Sequence, residues 1–122
     1  MKTATAEQIL EAELWVSFIS LLRSYAAAAS LNNGATARVE ELDNLVAIVV
    51  NEARLQMQFD PETGRVNWRM GSRDSQPITG SLEFLPDGMI AVGGAEKDMD
   101  HVAIELVASL MDRDPRRKGT QQ

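Results

Sequence analysis

Cysteine is absent, so the chain can build no disulfide, no thiolate metal site and no cysteine nucleophile. That fits a reducing compartment, and a cytoplasmic protein is expected. Histidine occurs once, at His101, which argues against a zinc site. Basic residues are in deficit, 12 Lys and Arg against 18 Asp and Glu for a net charge of −6, and general nucleic-acid binding needs the opposite balance. The start of the chain has only Lys2 before Thr3, Thr5, Glu7 and Glu11, so it lacks the basic region and clean apolar core of a secretory signal. Uninterrupted apolar runs fall far short of a membrane span, and no membrane insertion is expected.

Motifs of catalysis and ligand binding are missing as well. Gly93-Gly94 has neither the spacing of a phosphate loop nor a following Lys-Ser/Thr pair. Asp60-Pro-Glu-Thr-Gly64 lacks the alternating acids and closing glutamate of a calcium loop. Ser17, Ser20 and Ser24 have no base to activate them. His101 could act as a base or ligand among Asp98, Asp100 and Glu105, but no second histidine or nucleophile is placed to join it, and it reads as a solvated residue. No enzyme and no cofactor are expected.

What is present describes one globular domain over residues 1–112, followed by a polar tail at 113–122 with no apolar residue, expected to be disordered. A chain of 122 residues with 44% hydrophobic content can bury roughly two-thirds of its unfolded surface. Thr5-Ala-Glu-Gln8 is a capping box, and a helix is expected over about 6–29. Leu10, Leu14, Phe18, Leu21, Leu22 and Tyr25 form one stripe at three- and four-residue spacings, which Trp15 and Ile19 widen to nearly half the circumference. So wide a stripe points to a helix well sunk onto a sheet, or to contact with a partner, a homodimer included. Asn33 or Gly34 ends the helix as a left-handed cap.

Residues 37–42 and 45–51 read as two strands around Asp43-Asn44, although Val39, Leu42, Val46 and Val49 would also fit a helix face. The clearest pattern follows. Leu55, Met57 and Phe59 alternate with Arg54, Gln56 and Gln58, and Val66, Trp68 and Met70 with Arg65, Asn67 and Arg69, on either side of the Pro61–Gly64 turn. Residues 71–77 are expected as a polar loop, then a second hairpin turns at Pro86-Asp-Gly88, and Gly93-Gly94 breaks the strand. Asp98 is expected to cap a last helix through Met111, its stripe formed by Met99, Val102, Ala103, Leu106, Val107 and Leu110. The fold class is therefore α+β: a two-layer sandwich of an N-terminal helix, a five- or six-stranded antiparallel sheet and a C-terminal helix.

Two sets of residues are candidates for binding. Trp68 with Arg54, Arg65 and Arg69, and Trp15 on the wide helix, have hot-spot chemistry for a protein partner. Period-two parity places Trp68 on the opposite face from those arginines, so the two readings of Trp68, docking and core, stay open. Glu7, Glu11, Glu40 and Asp43 are weak metal candidates, carboxylates being the ligands of hard cations. A ligand pocket lined by Met57, Met70 and Met89 is a further alternative.

The order helix, antiparallel strands, helix resembles the frataxin fold. Leu14-Trp15-Val16 in the first helix, Val66-Asn67-Trp68 in the strands and Val102-Ala-Ile-Glu-Leu106 in the last helix carry the likeness. The resemblance extends to frataxins and to a frataxin-like accessory subunit of bacterial respiratory complex I. It implies either iron binding by an acidic ridge (Glu7, Glu11 and Glu13 with Glu40 and Asp43) for iron–sulfur assembly, docked by a sheet tryptophan such as Trp68, or a structural accessory role. Here the ridge is thin. The expected function is a small acidic, non-enzymatic interaction or accessory module using its sheet face or wide first helix. A frataxin-like iron protein is the alternative, and a small immunity- or inhibitor-type protein fits the same composition.

Overall fold

The computed structural model describes residues 4–32, 34–73 and 75–113. Helix α1 (Ala6–Asn32) leads into strands β1 (Ala37–Leu42), β2 (Leu45–Val50), β3 (Ala53–Asp60), β4 (Arg65–Ser72), β5 (Ser75–Phe84), β6 (Ile90–Val92) and β7 (Ala95–Lys97), then helix α2 (Met99–Asp112). The strands form one sheet in chain order, each antiparallel to the next. The α+β class and the antiparallel sheet are as expected, but the strands number seven, not five or six. Gly93 and Gly94 both take positive φ, 57° and 85°, so they make a two-residue hairpin turn that pairs Val92 with Ala95 rather than ending the sheet. The polar segment 71–77 is likewise mostly strand: Ser72 pairs with Ser75, their hydroxyls 2.9 Å apart, after a register shift beyond Met70.

Short turns fix the other registers. Asp43 (φ 52°) closes β1 onto β2, and Asn51 (φ 53°) closes β2 onto β3. These residue types tolerate the left-handed region, which settles 37–50 as strands and not a helix.

Alternation divides the sheet into two faces. Val46, Ile48, Val50, Leu55, Met57, Phe59, Val66, Met70, Leu82 and Phe84 are buried on the inner face, and the buried residues of α1 and α2 join the same core. All three phenylalanines and Trp15 meet there: Trp15 stacks on Phe59 with ring centroids 5.3 Å apart, and Phe18 meets Phe84 edge-on at 5.9 Å. The opposite face, with Arg54, Gln56, Gln58, Asn67, Arg69, Thr79 and Ser81 exposed, is covered by no helix among the described residues.

The helix ends follow from local chemistry. The Thr5 amide donates to Gln8 Oε1 (2.9 Å) and the Gln8 amide to Thr5 Oγ1 (3.1 Å), the expected capping box. At the far end buried Ser30 donates its hydroxyl to the Ala26 carbonyl (2.7 Å), and the Ala35 amide closes on Ser30 O. Gly34 takes φ 67°, while Asn33 and residues 114–122, all of the expected polar tail but Arg113, lie outside the described residues; Arg113 is the C-cap of α2. Asp98 occupies the N-cap of α2 with extended backbone but makes no side-chain cap hydrogen bond, a correction to the expected cap. Tyr25 ties the helices together by donating to Asp100 Oδ1 (3.0 Å), a bond that raises the phenol's pKa.

Although no uninterrupted apolar run is long, α1 as a whole is long and apolar enough, by length and composition, to cross a membrane, with 33% of that stretch buried. Leucines, isoleucines and alanines spread through the helix between Glu, Gln, Ser and Arg carry its apolar character. The buried third is the core face of this fold.

Candidate functional site

Apolar residues that α1 does not use in the core mark the site. The stack of Trp15 on Phe59 and the buried Phe18, Ile19 and Leu22 fix which side of α1 faces the sheet. Ile9, Ala12 and Val16, three and four residues apart, then share an outward flank. Val16 is 65% exposed and Ile9 53%. Ala4, Gln8, Glu13, Pro61 and Glu62 complete a groove of about 690 Å³ around them.

Two devices hold its walls. The capping box fixes the first turn of α1. One turn later, the Glu11 carboxylate lies directly over Gly64 in the β3–β4 turn, on the space a Cβ would need, and Gly64 has φ 72°. Packing Glu11 on that turn sets Pro61 and Glu62 against the helix. The contact has an electrostatic cost: burial first, then the charges of Glu7 and Glu83, hold the Glu11 carboxyl above its ordinary pKa of 4.5.

The residues singled out from sequence fall elsewhere. Trp15 is a core residue. Trp68 sits on the inner face, opposite Met57 and Gly80, half-buried, with its indole lying where a Cβ on Gly80 would project. Arg54, Arg65 and Arg69 occupy the other face, so the expected tryptophan–arginine patch is not assembled. Arg54 pairs with Glu40 (3.4 Å) and Arg65 with Glu83 (3.3 Å). Arg69 makes no ion pair among the described residues; it borders two shallow polar concavities of about 420 and 450 Å³ that share it and Gln56.

The metal candidates do not converge. Glu40 lies on the uncovered sheet face between Arg38 and Arg54, Asp43 is in the β1–β2 turn, and Glu7 and Glu11 are on α1. No group of three metal-ligating side chains occurs among the described residues. His101 is exposed beside Glu105, 3.5 Å away. Met57 and Met70 fill the core, and Met89 is half-buried in the β5–β6 turn.

The sequence reading missed Ile9 as a surface residue, because it took the width of the stripe from Trp15 and Ile19, which are both buried. The available signal was the seven-residue step from Ile9 to Val16, two turns along one line with Ala12 between. Comparison with protein-family models, with curated proteins and with solved structures gives no match.

Proposed function

We propose that the chain is a small non-enzymatic interaction module that docks another protein on the outward flank of α1. The observation that carries this reading is the exposure of Ile9 and Val16 in a groove walled by Pro61. These aliphatics in line on a helix keep more than half of their surface in water in the monomer, and an apolar segment laid against them would bury it. Glu13 and Glu62 line the groove, and the chain carries a net charge of −6. The matching occupant is an apolar segment, helical by preference, edged with lysine or arginine.

The iron-binding alternative draws no support from the placement of its acids: Glu7 and Glu11 lie on α1, Glu40 on the outer face of β1 and Asp43 in the β1–β2 turn.

The test is capture from host lysate with the tagged wild type and with the Ile9→Glu, Val16→Glu double variant. Both positions are exposed, so the thermal unfolding midpoint should stay within a degree or two of the wild type. A partner held by the wild type and lost by the variant is the expected result. Equal capture of the same partners by both baits would remove the flank as the docking surface.

A further inference from the structure

The free edge of the sheet carries a second inference, independent of the groove on α1. Strand β1 pairs with β2 along Ala37–Leu42, and among the described residues no strand lies on its other side. None of the turn and loop backbone hydrogen bonds among the described residues involves 37–42. Six residues of unpaired edge are a template for another strand unless something blocks it. The opposite edge, β7, has only three residues.

Charge is the usual block, and Arg38, Glu40 and Glu41 are there to supply it. Their order, however, favours one partner. In an antiparallel pair related by a twofold axis, opposed residue numbers add to a constant. For two sheets to continue with their helices on the same side, opposed residues must share a face, so the axis passes through a residue and not between two. An axis at Arg38 sets arginine on arginine. An axis at Glu40 or Glu41 sets glutamate on glutamate. An axis at Val39 sets Arg38 against Glu40 of the second copy, and Glu40 against Arg38, with Val39 on Val39 and Ala37 opposite Glu41. Glu41 is already paired with Arg23 of its own chain. Within each chain Arg38 and Arg54 both approach Glu40, at 3.1 and 3.4 Å, so the new pairs would extend an alternating row of charge across the join.

We infer that two copies of this chain join through their β1 edges about an axis at Val39, forming a continuous fourteen-stranded sheet, twice the seven of one copy, held in register by reciprocal Arg38–Glu40 pairs. The edge supplies main-chain hydrogen bonds, and the charges reject the neighbouring registers.

The experiment is sedimentation velocity on the full chain over a range of concentrations. The wild type sediments as a dimer. Arg38→Glu places four carboxylates on the join and Glu40→Arg four guanidiniums, and each variant shifts to the monomer while its circular dichroism is unchanged. An equimolar mixture of the two variants restores the dimer, because every opposed pair is then of opposite charge. The double variant Arg38→Glu, Glu40→Arg restores it alone. A wild type that stays monomeric throughout, single variants that remain dimeric, or a mixture that stays monomeric would each overturn the inference.

Discussion

At the scale of single residues, two close approaches decide how the site and the core are built, and each has a measurable consequence. Glu11 is folded over Gly64 with a carboxyl whose pKa is raised by burial, Glu7 and Glu83. A group with a raised folded pKa binds its proton more tightly in the native state. Its contribution to stability is complete below the unfolded value of 4.5 and is lost as pH rises through the folded value. Glu11→Gln removes that charge while keeping the shape. The variant should therefore melt above the wild type at pH 7, and the gap should close by about pH 4. A gap that is the same at both pH values would place the cause outside ionisation. The second approach is Trp68 over Gly80. Truncating a fully buried tryptophan costs about 3–5 kcal/mol, and Trp68 is half-buried, so Trp68→Ala should cost about 2 kcal/mol in chemical denaturation. A docking tryptophan would instead lose binding and leave the unfolding midpoint where it was.

At the scale of elements, the legible parts of the sequence were those with a strict period or a cap that the chain supplies locally. The β3–β4 hairpin shows the clearest alternation in the chain, and Ala53–Asp60 and Arg65–Ser72 follow it. Thr5 and Gln8 close the capping box as their spacing requires. The α2 stripe matches its buried residues Val102, Ala103, Leu106, Val107 and Leu110. The β6–β7 hairpin was not legible, because strands of three residues carry no measurable period and a Gly-Gly pair reads equally as a break or as a turn. Ser75–Phe84 begins three residues before the expected start at Ile78, since Ser75, Gln76 and Pro77 have low strand propensity and look like a loop. On α1 the difficulty was the reverse. Apolar residues occur nearly all around the helix, so periodicity alone could not separate those bound for the core from those left outside. Only packing does so: the Trp15–Phe59 stack turns Val16 outward, and the sheet parity that buries Met57 draws Trp68 inward and sends Arg54 and Arg69 to the other side.

At the scale of the whole molecule, one layer of helices and one sheet leave three kinds of surface. The outer sheet face is polar and rich in paired arginines, the β1 edge offers unpaired backbone, and the flank of α1 is apolar with acidic neighbours. Their chemistries differ, so they would recognise different partners, and the flank is the one whose burial gains most from leaving water. A photocrosslinking residue placed at Val16, with Ser24 as the comparison position on an exposed part of the same helix, tests that claim in the living host. A discrete adduct with another protein at position 16, absent at position 24, is the expected result. Adducts of the same pattern at both positions, or none at position 16, would contradict the assignment of the α1 flank as the docking surface.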